Sequence, residues 1–150
     1  MQAQMLAPAA ALVCWSLVML IWMVVTRFGA MKASGVDLSK SKPGGRGESL
    51  NGVLPDVVMW KSHNYTHLME QPTIFYPAVV ILAIMGASAL DVWLAWAYVG
   101  LRIVHSLYQA MINRIPMRVR IFAVSTAILI ALAVRALMAT VLAAPMGVLV

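Results

Sequence analysis

A chain of 150 residues with 63% hydrophobic and 11% charged side chains, and a mean hydropathy of +0.88, lacks the polar coat that a water-soluble domain of this size carries. Its formal charge of +6 does not imply nucleic acid, because the basic residues lie beside apolar runs rather than across a polar face. The single cysteine, Cys14, sits inside the first apolar run, which excludes an intrachain disulfide and a metal cluster built from cysteine alone.

The first Lys or Arg is Arg27, so no basic region precedes the opening apolar run and no small-residue cleavage site follows it. Residues 9–27 are therefore expected to be a retained membrane anchor, a crossing helix needing about 20 residues. Residues 28–55 change to Gly, Ser, Lys and Pro, the composition of a solvated loop. Its glycines lack a Gly-Lys-Ser/Thr ending, so they do not form a phosphate-binding loop.

Pro55-Asp56 offers a helix start, and residues 56–90 form a second span whose half up to Gln71 is polar and whose half from Ile74 is apolar. Pro72 and Pro77 remove backbone donors, which predicts a kink where the two halves meet. Asp91 marks a short turn, and residues 92–113 form a third span. Arg114 to Arg120 reads as a tight basic connection, and residues 117–142 form the fourth span. The expected fold is an all-α membrane protein, a four-transmembrane-helix bundle in one domain over residues 1–150.

Arg27, Lys32, Lys40, Lys42, Arg46 and Lys61 surround the first loop and Arg114, Arg118 and Arg120 the third, so nine of the eleven basic residues fall on one side. The positive-inside rule makes that side cytoplasmic and puts both termini outside. Arg102 and Arg135 remain inside spans, where a charge costs at least about 2.5 kcal/mol and needs a partner or water.

Helical spacing puts Trp60, His63, His67 and Glu70 on one face of the second span, with Asn64 and Gln71 beside them. Tyr98, Arg102, His105 and Gln109 form a similar stripe on the third, with Tyr108 adjacent. Matching polar stripes predict a cavity open to the cytoplasm. The alternative is structural: Glu70 and Arg102 neutralise each other and the histidines bond between helices. His63-x-x-x-His67-x-x-Glu70 also has metal-ligand spacing, but no further carboxylate or cysteine lies nearby, so no metal is expected.

Glu70-Gln71-Pro72-Thr73-Ile74-Phe75-Tyr76-Pro77, then Arg102-Ile103-Val104-His105-Ser106, then Arg114-Ile115-Pro116-Met117-Arg118 resemble the MAPEG family, the membrane-associated proteins in eicosanoid and glutathione metabolism, in its bacterial branch. The likeness runs from Asp56 into the fourth span. It implies a homotrimer in a bacterial inner membrane, with glutathione as co-substrate held between subunits in a cavity open to the cytoplasm. By that resemblance Glu70 and Arg102 bind glutathione, Arg118 activates its thiol, and Arg27 contacts it from a neighbouring subunit. His63, His67, His105, Tyr108 and Arg114 would complete the site.

The sequence departs from the eukaryotic members, which show Arg-x-x-x-Asn-x-x-Glu on the second helix, because His63 and His67 hold the Arg and Asn positions. Gln109 stands where a Tyr is expected, with Tyr108 one place away. The expected function is a glutathione-dependent membrane enzyme that conjugates or reduces lipophilic electrophiles or lipid hydroperoxides arriving through the bilayer. Its rival is a non-catalytic trimeric scaffold or partner subunit with the same fold that holds another anionic ligand.

Overall fold

The computed structural model describes residues 1–40 and 43–143. Lys42, counted above with the basic loop, and the end of the domain beyond residue 143 lie outside the described residues. Those described form helices and turns with no strand: α1 (Gln2–Ala33), α2 (Asp56–Leu68), α3 (Pro72–Met85), α4 (Ala89–Met111) and α5 (Ile115–Val141), with short 3-10 turns at Leu38–Lys40 and Gly47–Leu50.

Helix α1 is longer than the apolar run predicts, starting at Gln2 and continuing past Arg27 to Ala33. Its buried positions, Met5, Pro8, Leu12, Ser16, Met19 and Met23, recur every three or four residues and so form one narrow stripe. Leu17, Val18, Ile21 and Val25 on the other faces are exposed and equally apolar, as a helix surrounded by lipid requires. At about 1.5 Å per residue such a helix outreaches a hydrocarbon core of about 30 Å, which accounts for Arg27 lying beyond its apolar part.

The second span is divided. α2 ends at Leu68 and α3 starts at Pro72, since Pro72 has no N–H to offer the carbonyl four residues earlier. Pro77, the other predicted kink, stays inside continuous α3. The two helices together still offer a 30-residue stretch, Asp56–Met85, long and apolar enough to cross a membrane.

Gly86, at φ 93°, ends α3 in the left-handed conformation that glycine adopts without strain. Ser88 then caps α4: its hydroxyl accepts from the Asp91 N–H, and the Asp91 carboxylate accepts from the Ser88 N–H at 2.8 Å. Asp91 therefore belongs to the first turn of α4 rather than to the connecting turn. The basic connection is also shorter than expected. Asn113 turns the chain at φ 55°, and α5 has begun by Ile115, which places Arg118 and Arg120 within its first turns.

α1 packs on α2, α3 and α4, and α5 packs on α3 and α4. Met5, Leu12, Phe75, Val79, Tyr98, Val99 and Leu132 fill the centre, with Phe75 stacked on Tyr98 at 4.5 Å between centroids. Among the described residues three stretches are long and apolar enough to cross a membrane: α1, α2 with α3, and α5. α4 is not among them, because its composition includes buried Asp91, Arg102, His105 and Gln109. Its outer face is nevertheless apolar, with Leu90, Trp93, Trp96, Val104 and Met111 exposed.

Candidate functional site

The break before Pro72 prepares the site. Without a continuous helix the His67 carbonyl is free of its usual i+4 partner, and it accepts from Arg102 Nη2 at 2.9 Å. Arg102 is 0% exposed, and its Nε and Nη1 have no hydrogen-bond partner among the described residues. Its guanidinium lies 5.9 Å from the centre of the Phe122 ring, a cation–π distance that moderates the burial of charge. Arg102 and Glu70 do not pair. Glu70 is exposed and its Oε2 lies 2.8 Å from His67 Nδ1. The purely neutralising arrangement considered from the sequence is therefore absent among the described residues.

The α4 stripe faces inward as its spacing predicts, since Tyr98, Arg102, His105 and Gln109 are all buried. The α2 stripe divides by direction. Asn64 points inward and its amide donates to the Ser106 hydroxyl at 2.6 Å, whereas exposed His63 lies 3.1 Å from Asn51 Oδ1. Gln71 bridges two helices, donating to Thr126 Oγ1 at 2.8 Å and accepting from the Tyr98 hydroxyl at 3.3 Å.

His63, His67, Glu70, Gln109 and Arg118 line one cleft of about 310 Å³. Behind His67 lie two further rings that do not line the cleft, His105 at 5.2 Å and Phe122 at 5.1 Å between centroids. Arg118 reaches the cleft from α5, with Nη1 donating to Asn113 Oδ1 at 2.7 Å. The buried amide oxygen of Gln109 has no donor among the described residues. The cleft thus offers one carboxylate, one permanent cation, imidazoles and an amide acceptor, a set suited to a small zwitterionic ligand.

Other predicted residues lie elsewhere. Arg114 is exposed at the start of α5 and Tyr108 is half-buried, and neither lines the cleft. Arg27 donates to the Ser62 hydroxyl and lines a separate cavity of about 490 Å³ with Phe28, Met31 and part of the loop from Pro43 to Leu50.

Sequence reasoning missed three pairings. Lys61, counted with the loop, is buried and donates to the carbonyls of Val57 at 2.8 Å and Ala110 at 3.3 Å, so it neutralises the C-terminal end of α4. Arg135 pairs with Asp91; the signal was available, as Asp91 is the only acidic residue after Glu70. The Asn64–Ser106 contact and the position of Phe122 depend on helix rotation, which spacing within one helix does not reveal.

The family model of the MAPEG family matches residues 5–138, nearly the whole chain. No curated protein and no solved structure matches it.

Proposed function

The chain belongs to the MAPEG family, and from that membership we propose that it is a glutathione-dependent membrane enzyme conjugating or reducing lipophilic electrophiles or lipid hydroperoxides. The observation that carries the reading is the cleft in which Glu70, Gln109 and Arg118 meet beside two imidazoles. Glutathione has an ammonium for Glu70 to accept, carboxylates for arginine to hold, and a thiol whose ionised form a cation stabilises. Arg118 takes that last role, because its guanidinium stays charged at any working pH. Arg102, whose buried Nε and Nη1 have no partner among the described residues, holds a carboxylate.

In this reading α4 is the fourth crossing, its polar residues turned inward and its apolar face, including Trp93 and Trp96, turned to lipid. The basic loops face the cytoplasm of a bacterial inner membrane, and three copies close the open side of each cleft, Arg27 coming from the neighbour. The second substrate enters sideways from the bilayer along exposed Leu, Val and Ile.

Calorimetric titration of the purified protein with glutathione, followed by turnover with a lipophilic electrophile, tests the proposal. Saturable binding and glutathione-dependent product support it. Binding without product, across conjugation and peroxide-reduction assays, leaves the scaffold reading in its place.

A further inference from the structure

His67 stands where the eukaryotic members carry Asn, and its surroundings are those of a proton carrier. Its Nδ1 lies 2.8 Å from Glu70 Oε2. An ionised carboxylate only accepts, so Nδ1 carries the hydrogen and the lone pair is on Nε2. The ring is fixed from the other side by His105 and Phe122, and its carbonyl is tied to Arg102. The side chain is only partly covered and shares the cleft with Arg118. A nucleophile, a base within reach and a third group orienting the base is the usual arrangement for activating a thiol; here the chain supplies the second and third.

We propose that His67 is the proton carrier of the reaction, with Glu70 positioning it and Arg118 stabilising the thiolate that results. The inference rests on the glutathione reading above and concerns how the thiol proton is carried when the second substrate is a lipophilic α,β-unsaturated carbonyl. His67 Nε2 takes the thiol proton while sulfur keeps the electron pair. The sulfur then bonds to the β-carbon and the π electrons move to the α-carbon. That carbon recovers the proton from Nε2, so the imidazole returns to its neutral form and every atom of both reactants ends in the adduct. An addition that removes a proton and returns it needs a group that does both, which an arginine cannot do.

The groups facing His67 are His63 from α2, Glu70 from the break, Arg102, His105 and Gln109 from α4, and Arg118 and Phe122 from α5. The test measures glutathione affinity by calorimetry and the rate of glutathione addition to a long-chain enal as a function of pH, for the wild type, His67→Asn and His67→Gln. The wild-type rate should rise with pH as the imidazole loses its proton. Both variants should bind glutathione within about threefold of wild type yet add it about 100-fold more slowly, the usual worth of a positioned base. Glu70→Gln should also slow the addition, because the imidazole loses the carboxylate that holds its Nδ1–H.

A variant that keeps its rate, or a wild-type profile flat through the imidazole range, overturns the inference and leaves the glutathione reading standing. Absence of glutathione binding to the wild type overturns both. If neither His67 variant assembles, the wild-type profile and the rate of Glu70→Gln decide, and a Glu70→Gln protein that adds glutathione as fast as the wild type overturns the inference.

Discussion

Arg118 and Arg114 are four positions apart in one basic stretch, but only Arg118 lines the cleft. A topology anchor needs any cation, whereas a guanidinium that clamps a thiolate needs its planar fork. Arg118→Ala is therefore expected to abolish glutathione-dependent turnover with assembly intact, and Arg118→Lys to lose most of it; full turnover by the Lys variant, in a steady-state assay, would return Arg118 to the role of anchor. At the far end, Asp91 neutralises Arg135 and caps α4 through Ser88. Asp91→Ala should lower stability by about 2 kcal/mol, the worth of a charge-assisted hydrogen bond. A double-mutant cycle with Arg135→Ala, read by denaturant unfolding in detergent, should show the two losses to be non-additive. Spacing on α4 made its inward stripe legible, since four residues on one face share one fate. Partners across helices were not legible: Arg102 goes to a carbonyl rather than to Glu70, and that carbonyl belongs to His67, just before the break between α2 and α3.

The break between α2 and α3 is the element that links sequence to site. Proline chemistry predicted a kink at the polar–apolar junction; the structure separates the two prolines, with Pro72 ending the hydrogen-bond ladder and Pro77 carried inside α3. Pro72→Ala would allow the ladder to continue, so that the Gln71 N–H competes with Arg102 for the His67 carbonyl. The expected outcome is a more thermostable protein whose glutathione affinity falls several-fold, measured by thermal unfolding alongside calorimetry. Unchanged affinity would show that the break does not orient the site. α4 poses the reverse problem for sequence reading. Average hydropathy does not mark it as a span, because the residues that lower the average are the ones it buries, and direction rather than composition decides what lipid meets.

At the scale of the whole molecule, single-chain packing leaves Glu70 exposed and the cleft open on one side, while many large apolar side chains are exposed along the helices. A homotrimer would close the clefts, and native mass spectrometry in mild detergent should find three copies; monomer alone would contradict that assembly. The positive charge around the first loop predicts that protease reaches Lys40 to Arg46 from the cytoplasmic side only, so cleavage in intact spheroplasts would reverse the orientation. The most direct test of the central claim adds glutathione to the purified protein and follows ultraviolet thiolate absorbance. The wild type should develop the thiolate band at a pH where free glutathione remains a thiol, and Arg118→Ala should not. No band in the wild type at saturating glutathione would contradict the account.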